Sequence, residues 1–139
     1  MKTIQKSIRI PKKLAEEIDG LARKSRSDFS AVTVELLEEA VKISRCPGIV
    51  FAEGVRGRHA KIAGTGLYVW EVISIYQSVD SDLERLKHAC ERLTEQQLLA
   101  ALGYHRLYPK EIEGQIAENE QWTRDRIGKE YPFLPEVRE

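Results

Sequence analysis

Apolar and polar residues alternate from Thr3 to Ile10. Ile4, Ile8 and Ile10, with Lys6 among them, fall on one face of a strand, and Thr3, Gln5, Ser7 and Arg9 fall on the other. Pro11 ends this run and suits the start of a helix. The period then changes. Leu14, Ile18, Leu21 and Ala22 recur at helical spacing and predict a first helix ending near Lys24. Ser25, Arg26, Ser27 and Asp28 form a polar break. A second helix follows, capped by Asp28 or Ser30, with a stripe of Val32, Leu36, Leu37, Ala40 and Val41 that ends near Arg45.

Cys46-Pro47-Gly48 breaks the pattern again. Ile49-Val50-Phe51 predicts a strand, Glu53 to Arg58 a turn, and His59 to Ala63 a returning strand. Three helices are predicted next, from Val69, Val72, Ile73 and Tyr76, from Leu83, Leu86, Ala89 and Leu93, and from Leu98, Leu102 and His105 behind Thr94. Lys110 to Glu120, with Ile112 and Ile116, predicts a fourth, more exposed helix. From Gln121 to Glu139 periodicity is weak and prolines recur, so this tail is expected to be extended. The expected fold class is mainly α with little β. Its expected parts are a module over 1–45, a β-hairpin with helices over 46–120, and a tail over 121–139.

A lone strand can neither pair its backbone nor bury a face. The strand at Thr3–Ile10 therefore calls for the same strand from a second copy, and an antiparallel ribbon of that kind fits the major groove of DNA. Charge supports this. The chain is neutral, with 22 basic and 22 acidic residues, but residues 1–45 carry ten basic against seven acidic ones. Lys2, Lys6, Arg9, Lys12 and Lys13 come before any acid, as expected of a nucleic-acid-binding end. Cys46 and Cys90 lie in no metal-binding spacing and suggest reduced thiols in a cytoplasmic protein. No run approaches the length needed to span a membrane.

Strand, helix, polar turn and helix, with Gln5-Lys6-Ser7-Ile8-Arg9-Ile10-Pro11 and the Arg26-Ser27 turn leading to Ser30, resemble the ribbon-helix-helix repressors of the Arc and CopG type. The resemblance implies that Gln5, Ser7 and Arg9 read bases and that Lys2, Lys12 and Lys13 attract the DNA backbone. It implies a phosphate at the second helix near Ser27 and Ser30. Ile8, Ile10, Leu14, Ile18, Val32 and Leu36 would form an intertwined homodimer core. Further on, Cys46 to Phe51, Gly57-Arg58, Ile62-Ala63-Gly64-Thr65-Gly66-Leu67, Val69-Trp70-Glu71-Val72, Leu93 to Gln97, Ala100 to Tyr104 and Tyr108 to Ile112 together resemble the domain of unknown function 433. That domain looks like a helix-turn-helix fold and recurs in antitoxins, of VapB type, encoded beside PIN-like nucleases.

Other features receive blander readings. Gly64-Thr65-Gly66 is expected to be a tight turn rather than a phosphate loop, and Gln96 and Gln97 exposed helix polarity rather than base readers. His59, His88 and His105 are scattered, so no catalytic centre, metal or cofactor is expected. Trp122, Arg124, Arg126, Tyr131, Phe133 and Leu134 combine residue types enriched at interface hot spots and are the candidates for toxin binding. The expected function is an antitoxin and autorepressor that binds operator DNA and a PIN-like ribonuclease, as a homodimer or a larger assembly with the toxin. The rival is a stand-alone transcriptional regulator whose second domain binds a ligand or protein.

Overall fold

Helices dominate the regular structure, and the only strands among the described residues form one antiparallel hairpin. The structure, a computed structural model, describes residues 2–54, 56–130 and 132. In chain order the elements are α1 (Lys12–Lys24), α2 (Phe29–Arg45), β1 (Ile49–Gly54), β2 (Gly57–Ile62), α3 (Val69–Ser78), α4 (Leu83–Ala89), α5 (Glu95–Leu107) and α6 (Pro109–Glu130). They form two units, Met1–Ser44 and Arg45–Glu139.

In the first unit, residues 2–11 carry neither helix nor strand, so the expected ribbon is not formed within one chain. The reason is physical: a strand exists only through its neighbour's hydrogen bonds. Pro11 precedes α1, and its carbonyl accepts from Ala15 N–H at 3.1 Å. At the other end of α1, Arg26 N–H donates to Arg23 O and Ser27 N–H to Ala22 O. This is a Schellman closure, with Arg26 at φ 55° where glycine is usual. Asp28, the first of the two expected caps, accepts from Ala31 N–H at 2.7 Å and starts α2.

The second unit is built around α3, which packs against α4, α5, α6 and β2. The strand register pairs Ile49 with Ile62, Phe51 with Ala60, and Gly54 with Gly57. β1 runs on to Gly54 and β2 begins at Gly57, two residues before its expected start, and ends at Ile62 rather than Ala63, so the turn is shorter than expected. Ile49, Ala60 and Ile62 are buried on the inner face with Val69, Val72, Ile73, Leu86, Leu98, Ala101, Tyr104, Ile112 and Ile116. Each such aliphatic side chain contributes roughly 1.5–3 kcal/mol by leaving water. Thr65 holds the turn into α3, its hydroxyl donating to Ile62 O at 2.8 Å and accepting from Leu67 N–H at 3.1 Å, while Gly64 takes φ 76°.

Three expectations about the helices need correction. α4 stops at Ala89, so Leu93 lies in the turn after it, and Cys90 rather than Ala89 is buried. α5 buries Leu98, Ala101 and Tyr104, whereas Leu102 and His105 are only half-buried. The largest side chain won the inward position. Most plainly, α6 continues through Gln121 to Glu130 and is not an extended tail there. Gln121 Nε2 donates to Asp125 and Arg126 pairs with Glu130, i,i+4 contacts that favour helix where hydrophobic periodicity is silent. Among the described residues no helix is long and apolar enough to cross a membrane.

Candidate nucleic-acid and partner interfaces

The first unit leaves much of its apolar surface uncovered. Of the residues expected in a dimer core, only Ile18 is buried within one chain. Ile10 and Val32 are half-buried, Leu14 and Leu36 are exposed, and Ile8 is 74% exposed. Leu37 and Val41, on the same stripe of α2, are exposed as well, Val41 by 57%. A 44-residue unit of this kind falls in the size range where a single small core is marginal without further support.

The candidate DNA residues Lys2, Gln5, Ser7 and Arg9 all lie exposed in the segment before Pro11. Lys12 opens α1 and sits 4.0 Å from Glu16, a weak surface pair. At the start of α2 the structure narrows the expected phosphate site. The Ser27 amide is committed to Ala22 O, and the Ala31 amide to the Asp28 carboxylate. An anion here would meet the amides of Phe29 and Ser30 beside that carboxylate. Asp28→Asn keeps the cap, since the two residues cap equally well. We expect it to tighten duplex DNA binding several-fold at low salt in fluorescence anisotropy; unchanged affinity would place the phosphate elsewhere.

The candidate partner residues are divided. Trp122, Arg124 and Arg126 lie on the exposed last turns of α6, where Arg126 stacks 5.5 Å from the Trp122 ring centroid and pairs with Glu130 at 3.0 Å. Trp122 is 49% exposed. Tyr131, Phe133 and Leu134 lie outside the described residues.

Gln97 has a local task, its side chain accepting from Thr94 N–H while Thr94 Oγ1 accepts from Gln97 N–H, a capping box that opens α5. His105 Nε2 lies 2.8 Å from Glu113, which also accepts from Gln77. No grouping of His, Cys, Asp and Glu among the described residues could hold a metal. The residues that sequence reasoning passed over lie on the hairpin, where Tyr68 meets Lys61 and His59. Their strand alternation was visible, but Tyr68 reaches them only through the turn at 63–67. Compared with protein-family models, with curated proteins and with solved structures, the chain matches none.

Proposed function

We propose that the chain is a dimeric DNA-binding antitoxin that represses its own operator and neutralises a PIN-like ribonuclease. In this reading residues 1–45 form a ribbon-helix-helix module, residues 46–120 a hairpin and helix-turn-helix-like domain, and that domain with residues 121–139 engages the toxin. The observation that carries it is the first unit's uncovered apolar surface, on α1, on α2 and at Ile4 and Ile8 together, joined to a basic N-terminal segment. A second copy would cover that surface, pair the strand and bring Gln5, Ser7 and Arg9 of both chains over one groove.

Arg9→Ala is expected to leave the dimer intact and to lose discrimination between operator and unrelated duplex. A bidentate arginine–guanine contact is worth roughly 1–3 kcal/mol. Equal discrimination in parent and variant, measured on DNA from upstream of the gene, would refute the groove assignment. For the toxin, co-expression with a neighbouring nuclease-like gene should yield a complex and restore growth. Absence of both would sink the antitoxin reading.

A further inference from the structure

One side of α5 packs into the core through Leu98, Ala101 and Tyr104, and the other side is left in water. Gln96, Leu99, Gly103, Arg106 and Leu107 follow one another there at steps of three and four residues, and all are exposed. Leu99 and Leu107 are 48% and 44% exposed, a turn to either side of Gly103. Gly103 has no positive φ, and nothing lies within 4 Å of where its Cβ would be. Neither conformation nor packing within one chain therefore calls for glycine, which weakens a helix interior. The close approach of a second helix would call for it.

The face carries an acid at one end and a base at the other. Glu95 and Arg106 are eleven residues apart, about three turns, and so lie on the same flank. The exposed positions between them, Gln96, Leu99 and Gly103, are uncharged. Glu95 lies 3.3 Å from Lys87, which is shared with Glu84 at 3.1 Å. Arg106 takes part in no ion pair among the described residues. Two such faces laid antiparallel about a two-fold axis set Glu95 of each chain against Arg106 of the other, and Leu99 against the open backbone at Gly103. A parallel pair would bring like charges together instead, and a face with one acid and one base offers duplex DNA no attraction.

We propose that the exposed face of α5 pairs antiparallel with the same face of a second copy, within the dimer that the first unit forms. The inference rests on that proposed dimer. Two exposed leucines per chain make a contact well short of the roughly 1,200–2,000 Å² of a stable specific interface, so it does not hold free chains together. Chains already joined through their first units present these faces at a far higher effective concentration. The contact is isologous, each chain giving an acid and a base to the other.

The test uses the full chain and its dimer dissociation constant, from sedimentation over a dilution series. Arg106→Glu and Glu95→Arg should each raise that constant about tenfold, because two surface ion pairs per dimer turn repulsive. The two substitutions together in one chain should restore it. Both oppose the α5 dipole, so restoration cannot come from the helix itself. Mixing the Arg106→Glu chain with the Glu95→Arg chain should give heterodimer well above the random proportion of one half. Gly103→Leu should raise the dissociation constant while its unfolding midpoint, read by tryptophan fluorescence, is no lower than the parent's. A dimeric parent whose variants dissociate alike and mix at random overturns the α5 contact and leaves the ribbon dimer standing. Single swaps that weaken the dimer without restoration in the double variant overturn the antiparallel pairing. A monomeric parent overturns the dimer and the contact together. Swaps that spare the dimer but weaken capture of the co-expressed nuclease, or binding of duplex DNA, assign the face to that partner instead.

Discussion

On the proposed reading of the chain as a dimeric DNA-binding protein, deletion of residues 2–9 is expected to abolish self-association and operator binding together. Within one chain this segment pairs with nothing as a strand, and Ile8 is left in water. Two copies would bury Ile4 and Ile8 from each chain, at roughly 1.5–3 kcal/mol per fully buried side chain. Total stability in small proteins is only about 5–15 kcal/mol, so losing four such residues per dimer is decisive. Sedimentation of the truncated chain should show a monomer at concentrations where the parent is dimeric, and anisotropy should show no preference for upstream DNA. A truncated chain that remains a stable dimer would place the interface on α1 and α2 alone.

Tyr104→Ala is expected to unfold the second unit at markedly lower denaturant. The ring is fully buried, lies 4.9 Å from the Tyr108 ring and meets Phe51 edge-on, so truncation leaves a large cavity costing about 3–5 kcal/mol. Both tryptophans lie in this unit, so fluorescence during urea unfolding reports it directly. The hydroxyl adds a pH signature. Burial, reinforced by its hydrogen bond to the Glu111 carboxylate, pushes the Tyr104 phenol well above its ordinary value of 10.0. The unfolded chain therefore releases this proton at a lower pH than the folded one. The stabilisation is complete below about pH 10 and is lost as pH rises beyond it, at about 1.4 kcal/mol per unit. Tyr104→Phe should keep the ring packing and flatten that alkaline slope relative to the parent. An equal slope in both proteins would show that the phenol titrates normally.

Much of this architecture could be read in the chain because local signals agreed. The breaks at Ser25–Asp28 and Cys46–Gly48 and the stripe Val69, Val72, Ile73 stand where periodicity puts them. What could not be read depends on contacts distant in sequence. Leu102 and Ala101 are indistinguishable candidates for the inward face of α5 until Phe51 and Tyr108 are known to flank Tyr104. The last turns of α6 bury nothing, so hydrophobic spacing gave no hint of a helix that side-chain pairs favour. At Arg9 and Trp122 residue type and position alone make the candidates, and the structure adds that both are exposed. The contacts of Tyr68 with Lys61 and His59 could not be read, since Tyr68 joins the hairpin from beyond β2.

The two cysteines take on a use that their chemistry alone does not suggest. Cys46 and Cys90 are unpaired with each other and buried at the edges of the second unit's core, and burial raises both thiols above their ordinary range. Burial thus disfavours their thiolates while the core is closed, and opening restores ordinary thiol acidity and admits an alkylating reagent. Timed alkylation reads out breathing of this core from native positions, at two points far apart in sequence. The protein carries its own clock for how often its second half comes apart.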